Sequence, residues 1–388
     1  MIGIVTPYKV NNYGTKLQAY AMQKLFDQYG GAEIVNFLTK SDTRKSALFG
    51  KMFSLDIWSH KIQSRIKNEK LKKNQELYSN LKIRECAINS FDNFLVKSDY
   101  VVGNKALNQL IKKYDYIVCG SDQLWAPRNV IADYFTLTWV PDNIGKISYA
   151  ASFGLSKIPN SLKRKYINYL STFDDISVRE NTGKEIVESL IKKEATVTLD
   201  PTLMLDADTW MNVAQKSKMK IGEKYIFCYL LGTNPRHRLW AKQLAKETGC
   251  KIVILPHFID YCKEDSEIAD VELYDVTPCD FLKLILEADY IVTDSFHATV
   301  FSTIFNRKVA VFERFKKGNT GSTNSRIYSL IHNLNIEAEL IDENSSVNDF
   351  INLHVDYEIV GQRLESIKKD SFEYIETALK LNKCGRLR

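Results

Sequence analysis

The chain has 388 residues, of which 45% are hydrophobic and 26% are charged, and it contains 17 Gly and 8 Pro. This composition is typical of a soluble globular protein and excludes disordered, collagen-like and coiled-coil classes. At about 100–200 residues per domain, the length favours two domains over one. The longest apolar runs, such as residues 225–231, are far shorter than the roughly 18 residues that cross a bilayer, so no membrane-spanning segment is expected.

The N-terminus and the cysteines predict a cytoplasmic protein. Residues 1–6 enter a strand-like run directly, with no charged leader and no small-residue cleavage site. The cysteines are odd in number and scattered, which indicates neither a disulfide framework nor a zinc site. We expect them to be small buried hydrophobic residues. They are Cys86, Cys119, Cys228, Cys250, Cys262, Cys279 and Cys384.

The positive charge is confined to one segment. Residues 40–81 carry ten Lys/Arg against four Asp/Glu, an excess that accounts for the whole net charge of +6. This argues against a nucleic-acid-binding protein and for one local basic surface. The surface is either an ordinary solvated helix face or a contact with the inner face of the cytoplasmic membrane, where the amphipathic residues 57–71 would lie in the interface.

Strand-like and helix-like segments alternate over the first half of the chain. Predicted strands lie at residues 2–5, 34–37, 116–119, 146–151, 176–178 and 195–199, with a helix at 17–29. A basic helical insertion is predicted at about residues 40–94. This pattern is typical of a parallel sheet covered by helices, and we assign it to an N-terminal Rossmann-like domain at residues 1–203.

The same alternation resumes after a polar junction at residues 201–222. Strands are predicted at 225–231, 251–255, 290–293 and 309–312, and helices at 236–248, 279–288 and 297–305. We assign residues 204–356 to a second Rossmann-like domain and residues 357–388 to a helix that packs back toward the first. The tetrapeptide Asp-Tyr-Ile-Val occurs at 115–118 and again at 289–292, which supports two similar domains, although chance agreement explains it equally well.

The expected carboxyl ends of the strands carry most of the polar residues that suggest chemistry. Ligands of open α/β sheets bind at these ends, where helix N-termini and loop amides converge. His297 is predicted in the first turn of a helix capped by Asp294 or Ser295, where free amides attract an anion. A phosphate there would raise the pKa of His297 and make it a proton donor. The alternative is a helix cap with an incidental histidine.

Five further residues at or after the strand ends are candidates. Asp122 could accept a hydroxyl proton, and Trp125 could pack on a sugar ring. Their alternative is a capping aspartate beside a core tryptophan. Arg326 ends a loop at 316–326 that is rich in glycine and hydroxyl residues and could bind an anion. The alternative is an ordinary surface loop. Arg179 and His257 are single residues at other strand ends.

Missing motifs exclude several enzyme classes. No G-x-G-x-x-G follows the first strand, no G-x-S-x-G turn is present, and no H-E-x-x-H or Asp-rich metal loop occurs. Dehydrogenases, hydrolases and metalloproteases are therefore disfavoured, and no metal or other cofactor is expected.

Taken together, these clusters make the chain resemble the polysaccharide pyruvyl transferase family over roughly residues 2–335. The resemblance implies two Rossmann-like domains facing a cleft, as in glycosyltransferase-B-like proteins. It also implies transfer of a pyruvyl group from phosphoenolpyruvate to two sugar hydroxyls, forming a ketal on a cell-surface polysaccharide. The motifs that carry it are GIVT at 3–6, NYG at 12–14, LQAY at 17–20, GSDQLW at 120–125, YAASFG at 149–154, SVRE at 177–180, DPT at 200–202 and TDSFH at 293–297.

The resemblance also implies roles for single residues. His297 matches the histidine of the family's C-terminal motif, and we expect it to be the acid and the phosphate contact, with Asp122 as the base. Better-known members carry Arg-Leu-His where this chain has Ser-Phe-His, so the donor-binding arginine is expected to be Arg326 or Arg179. The other expected contacts are Ser295 and His257 with the donor, and Asn12, Tyr13 and Trp125 with a glycan or lipid-linked saccharide acceptor.

Two other functions fit the same features. One is a nucleotide-sugar glycosyltransferase of similar fold, whose loop at 316–326 would hold a diphosphate. The other is a non-catalytic glycan-assembly protein that docks through its basic insertion. Competition by UDP or GDP would identify the first, and the absence of phosphate release would identify the second.

Overall fold

A computed structural model describes residues 1–38, 75–130, 133–257, 262–315 and 324–385. Most of the basic segment expected to contact a membrane, including residues 57–71, lies outside the described residues. The same holds for residues 316–323 of the predicted anion-binding loop. The described part of the basic insertion, residues 75–94, is helical as expected.

The first half of the chain builds one parallel sheet. Its strands are β1 Ile2–Val5, β2 Ala32–Ile34, β5 Tyr116–Asp122, β6 Gly145–Ala151, β7 Asp175–Val178 and β8 Thr196–Val197, in the order β2-β1-β5-β6-β7-β8. Two short strands, β3 Phe37–Leu38 and β4 Val101–Val102, pair beside it. The helices are α1 Tyr13–Asp27, α2 Gln75–Ser90, α3 Asn104–Leu110, α4 Pro127–Val130, α5 Lys163–Leu170 and α6 Asn181–Ile191.

The second half builds another parallel sheet. Its strands are β9 Tyr225–Tyr229, β10 Lys251–Ile254, β11 Val271–Glu272, β12 Tyr290–Thr293 and β13 Val309–Val311, in the order β11-β10-β9-β12-β13. The helices before and around it are α7 Pro201–Met204, α8 Ala207–Ala214, α9 Pro235–Thr248, α10 Lys263–Ile268, α11 Pro278–Glu287, α12 Phe296–Ile304, α13 Ser325–Leu334 and α14 Val347–Asn352. We refer to the two sheets with their helices as the first and second units.

The expected α/β fold with two Rossmann-like, glycosyltransferase-B-like units is confirmed. Nearly every central strand residue is buried on both faces, which explains why the strands have continuous apolar sequences rather than alternating ones. The strand order in each sheet reverses beside its first strand, and this reversal creates a crevice at the carboxyl ends.

Local details differ from the sequence predictions. Helix α1 begins at Tyr13, four residues before the predicted start, because the Asn12 side chain caps it by accepting from the backbone N–H of Thr15 at 3.1 Å. The predicted strand at 34–37 is split between β2 and β3. The junction at 201–222 contains the two short helices α7 and α8.

A long C-terminal helix, α15 Tyr357–Gly385, connects the two units. The Tyr116 hydroxyl donates to the carbonyl of Leu379 at 2.5 Å, and the Tyr374 hydroxyl donates to the carbonyl of Ser148 at 2.8 Å. The same helix packs on α13 of the second unit. The expected return of the C-terminal helix toward the first unit therefore corresponds to specific contacts.

Arg84 of α2 forms a second connection between the units. Its side chain is buried and donates to the backbone carbonyls of Pro256 and Leu273, the latter at 2.8 Å. The guanidinium also lies 4.9 Å from the ring centre of Tyr274. One buried arginine thus satisfies two carbonyl groups of the opposite unit.

Most of the described cysteines are buried in the protein. Cys119, Cys228, Cys250, Cys262 and Cys279 are buried as expected, but Cys86 is exposed on α2, so the expectation is wrong for that residue. Helix α2 presents only part of its surface to the protein, which leaves Cys86 on the solvent side.

Within the described ranges, no helix has the length and apolar character that crossing a bilayer requires.

We predict that Arg84→Met lowers the free energy of unfolding by about 1–3 kcal/mol, because two carbonyls lose their buried donor. The measurement is urea unfolding followed by circular dichroism. The matched control is Lys82→Met on the same helix, since Lys82 is half exposed and pairs with Glu85 at the surface. An Arg84→Met midpoint equal to that of Lys82→Met would contradict this role.

Candidate functional site

Three charged residues meet where strands of the first sheet end. Asp122 ends β5, Arg179 follows β7, and Asp200 follows β8. Parallel strands end at one edge of a sheet, so these side chains converge. The Arg179 Nη1 donates to Asp200 Oδ2, and Nη2 lies 3.6 Å from Asp122 Oδ1.

Local backbone features place the two carboxylates. A Cβ at Gly120 would lie 1.9 Å from the carbonyl oxygen of Tyr149, so only glycine permits the close approach of β5 to β6 just before Asp122. Asp122 itself has a positive φ of 73°, which aspartate tolerates better than most residues. Asp200 caps α7 with Oδ1, which accepts from the Thr202 backbone at 3.0 Å, and this leaves Oδ2 for Arg179.

The second unit adds His297 and Arg326 to this group. Ser295 caps α12 and places His297 in its first turn, with Nε2 4.0 Å from Asp200 Oδ2. Arg326 lies in the first turn of α13, with Nη1 3.7 Å from Asp122 Oδ1. The structure therefore brings together four of the residues singled out in the sequence. We call Asp122, Arg179, Asp200, His297 and Arg326 the charge cluster.

Phe296 holds the two arginines side by side. The guanidinium of Arg179 lies 4.5 Å from the ring centre of Phe296, and that of Arg326 lies 5.7 Å from it. Stacking on one aromatic ring attracts both cations and restricts their rotation. The phenylalanine that precedes His297 is thus a structural part of the cluster.

The N-terminus of α1 packs against the other side of the cluster. A Cβ at Gly14 would lie 2.1 Å from His297 Nδ1, so the imidazole rests directly on the glycine backbone. The Thr15 hydroxyl donates to Asp122 Oδ2 at 2.9 Å. Gly14 therefore provides the space that His297 occupies, and Thr15 orients Asp122.

The charges of the cluster fix the protonation of its carboxylates. Burial acts to raise the pKa of Asp122, but Arg179, His297 and Arg326 outweigh it and hold that pKa well below its usual range. The pKa of Asp200 is lowered too, because Arg179 and His297 outweigh burial there. Both carboxylates are ionised at neutral pH.

The two basic groups of the second unit respond differently. Burial lowers the pKa of His297, and the nearby Asp200 and Asp122 only partly offset this effect. Burial and the charge of Arg179 lower the pKa of Arg326 to about 9. At neutral pH His297 is therefore uncharged, whereas Arg326 keeps its charge.

Several buried nitrogens of the cluster lack hydrogen bonds. Among the described residues, none accepts from Arg179 Nε or Nη2 or from Arg326 Nε, and none bonds to His297 Nε2. Buried polar groups in folded proteins almost always have partners. The unpartnered N–H groups of two arginines indicate that a ligand with oxygen atoms, and above all an anion, belongs beside them.

A cavity of about 270 Å³ lies against the arginine pair. The residues that line it come from both units and include Ile367 of α15. The polar side chains of Asn181, Ser329 and Asn333 are also part of the lining. The carboxylates and imidazoles of the described residues form no group of three or more placed to hold a metal ion. The cavity suits a small polar ligand bound by arginines.

Trp125 does not contribute to this site. Its ring is fully buried among aromatic residues, 5.2 Å from Phe153 and 5.5 Å from Phe173 between ring centres, and its Nε1 donates to the carbonyl of Phe135 at 3.2 Å. The expectation that Trp125 packs on a sugar is wrong. Trp125 is instead a core residue, the alternative that the sequence had left open, because its indole packs in the hydrophobic core of the first unit.

Tyr13 is also buried, at 1% exposure, with its ring stacked 4.9 Å from that of Phe281. It belongs to the contact between the units, and the expectation that it meets an acceptor is wrong. Asn12 beside it is partly exposed and caps α1.

The structure does not bring His257 to the cluster. Its backbone N–H donates to Asp265 Oδ2 at 2.7 Å, and its Nε2 lies 2.7 Å from the carbonyl oxygen of Leu231. The ring is thus used to hold two loops of the second unit together. Ser295 lies next to the cluster, where its hydroxyl accepts from the backbone of Ala298 at 3.4 Å as a helix cap.

Sequence reasoning missed four contributors to the site. Asp200, Phe296 and Gly14 lie inside motifs that were recognised and Thr15 directly follows one, but none had been given a role there. The Asp-Pro-Thr sequence is typical of a helix N-terminus, and Asp200 does cap α7. The pairing of Asp200 Oδ2 with Arg179 could not be predicted, because the sequence does not show that β7 and β8 are neighbours.

Comparison with known families gives one match. A sequence model described as polysaccharide pyruvyl transferase matches residues 12–314, well over half of the chain. This match confirms the resemblance identified from the motifs. A search of curated proteins found no match.

Solved structures of similar fold include two epimerases and a glycosyltransferase. UDP-GlcNAc 2-epimerase from Neisseria meningitidis is 11% identical, with a TM-score of 0.48, 97% of this chain and 98% of that chain covered. UDP-N-acetylglucosamine 2-epimerase from Rickettsia bellii is 12% identical, with a TM-score of 0.43 and coverages of 96% and 97%. A glycosyltransferase from Rickettsia africae is 12% identical, with a TM-score of 0.41 and coverages of 96% and 98%.

We predict that Gly14→Ala displaces the His297 ring and lowers the free energy of unfolding by about 1–3 kcal/mol, as overpacking does. The measurements are urea unfolding and the imidazole signals in the NMR spectrum.

The matched control is Gly361→Ala in α15, another helical glycine, whose added Cβ would meet nothing within 4 Å. That change should not destabilise the protein, because alanine favours a helix. Unmoved imidazole signals in Gly14→Ala would contradict the contact.

Proposed function

We propose, for a chain that belongs to the polysaccharide pyruvyl transferase family, that it transfers a pyruvyl group from phosphoenolpyruvate to two hydroxyls of a sugar, forming a ketal. The observation that carries this proposal is the set of buried, unpartnered N–H groups of Arg179 and Arg326 beside His297. Phosphoenolpyruvate has a carboxylate and a phosphate, and an arginine fork binds each of these groups with two parallel hydrogen bonds.

Arg326 supports this choice of donor. Better-known members of the family have an arginine where this chain has Ser295, so the present chain needs another cation near His297. Arg326 reaches the cluster from α13 and lies 3.7 Å from Asp122. We propose that Arg326 and Arg179 hold the carboxylate and the phosphate of the donor.

The charges revise the expected roles of Asp122 and His297. Asp122 was expected to be the base, but two arginines and the Thr15 hydroxyl stabilise its ionised form, which makes it a weak proton acceptor. His297 is uncharged because it is buried, and its Nε2 lacks a partner. We propose that His297 accepts the proton of the attacking hydroxyl, and that Asp122 orients the arginines.

The size of the cavity favours a small donor. Its volume of about 270 Å³ falls at or below the lower end of the roughly 300–1,000 Å³ of typical ligand sites. Phosphoenolpyruvate contains neither the nucleoside nor the sugar of a nucleotide sugar, so it is much smaller and fits such a space. This supports pyruvyl transfer over a nucleotide-sugar donor.

The cellular setting is part of the same proposal. A cell-surface polysaccharide or its lipid-linked precursor would be the acceptor, and the reaction would take place in the cytoplasm. Contact of the basic residues 40–81 with the inner face of the membrane stays a prediction.

We predict that phosphoenolpyruvate raises the melting temperature of the protein more than inorganic phosphate does, because a ligand of the native state stabilises it by mass action. A ligand at 100 times its Kd contributes about 2.7 kcal/mol. Arg326→Gln should abolish the difference between the two ligands. The control is Arg236→Gln, since Arg236 is 64% exposed and lies on α9 outside the cluster.

The activity test combines phosphoenolpyruvate with a panel of nitrophenyl glycosides, and it measures phosphate release and the mass of the product. A pyruvyl ketal on at least one glycoside is expected. If only UDP or GDP stabilises the protein, the result favours the glycosyltransferase instead. If no acceptor leads to phosphate release, the result counts against catalysis.

A further inference from the structure

Glu180 is a buried carboxyl next to the charge cluster. It follows Arg179 directly, forms the N-cap position of α6, and is 1% exposed. Its Oε1 accepts a hydrogen bond from the Ser152 hydroxyl at 2.8 Å, and the Phe153 backbone N–H lies near the carboxyl group. Its Oε2 is buried, and none of the described residues donates to it.

This unequal use of the two oxygens is typical of a neutral carboxylic acid. An ionised carboxylate only accepts hydrogen bonds, and leaving one of its oxygens buried without a donor is unfavourable. If Oε2 carries the proton, it is itself a donor that awaits an acceptor. Burial raises the pKa of Glu180, and the attraction of Arg179 only partly offsets this rise.

The charged groups around Glu180 come from both units. Arg179 at the end of β7 and Arg326 of α13 both act on its charge, and Ser152 faces it from the end of β6. Glu180 therefore lies at the same edge of the sheet as the arginines that would hold the donor. The pKa values of Asp122 and Asp200 are lowered, whereas burial raises that of Glu180, so Glu180 is the carboxyl group of these three that keeps its proton to the highest pH.

We propose that Glu180 is a catalytic residue of this reaction, the acid whose Oε2 proton is transferred to the methylene carbon of phosphoenolpyruvate. This inference rests on the proposed pyruvyl transfer and adds to it the source of the proton.

Over one turnover, Glu180 and His297 both return to their starting protonation states. The π electrons of the donor take the proton from Glu180, which leaves C2 electron-poor. A sugar hydroxyl forms a bond to C2 and gives its proton to His297. The bond from C2 to the phosphate oxygen then breaks, and the phosphate leaves with the electron pair and with the proton held by His297. The second hydroxyl bonds to C2 and returns its proton to Glu180.

The first test is Glu180→Gln, which keeps an oxygen for Ser152 but has no acidic proton. We expect kcat to fall about 10²–10⁴-fold, the range of general acid catalysis, while phosphoenolpyruvate still raises the melting temperature as in the wild type. The matched control is Glu185→Gln, an exposed glutamate on the same helix. Glu180→Asp should recover part of the rate because it restores a carboxyl group.

The pH profile and infrared spectrum separate this role from a structural one. The wild-type rate should fall as the pH rises through the raised pKa of Glu180, and Glu180→Gln should lose that limb. Infrared spectra at neutral pH should show the stretch of a protonated buried carboxyl that Glu180→Gln removes. Both should be recorded in a Glu339→Gln background, because burial raises the pKa of Glu339 to about 7.

The outcomes distinguish the two proposals. A wild-type protein without phosphate release on any acceptor overturns the proposed function. An active wild type with unchanged kcat in Glu180→Gln overturns only the role of Glu180, and so does an infrared spectrum that Glu180→Gln leaves unchanged.

Discussion

The buried pairing of Arg179 with Asp200 and Asp122 is the interaction on which the rest of the site depends. A buried guanidinium is costly unless it is paired, and here Arg179 and its two carboxylate partners lie at the ends of three parallel strands. The second unit completes the network with Arg326 and His297. Because three residues of the cluster come from the first unit and two from the second, the cluster exists only when the units are held together, which is what α15 and the buried Arg84 do.

The same network divides the titratable groups into separate roles. Arg179 helps to keep both Asp122 and Asp200 ionised, with Arg326 acting on Asp122, so these carboxylates are suited to positioning cations rather than to moving protons. His297 loses its charge through burial, and burial raises the pKa of Glu180, whose Oε2 meets no donor among the described residues. Environments that push pKa values apart in this way are the usual means by which one site supplies both an acid and a base at neutral pH.

The sequence predicted much of this, and its failures share a cause. Strand-end positions pointed to Asp122, Arg179 and His297 because parallel strands must end together. The same rule gave Trp125 a role in the cleft, although its indole lies beneath the sheet among Phe153 and Tyr169. Whether an aromatic side chain at a strand end faces the crevice or the core depends on the turn that follows it, and periodicity does not reveal that turn.

The sequence by itself determined the fold class, the strands and the motifs of the family, because apolar periodicity and capping residues act over a few neighbouring positions. Tertiary structure alone decided which charges are partners. Asp200 meets Arg179 because β7 and β8 are adjacent, Gly14 leaves room for His297 across the crevice, and Arg326 reaches Asp122 from the second unit. These pairings join residues that are tens to hundreds of positions apart, and only the packing of the two sheets places them within reach of one another.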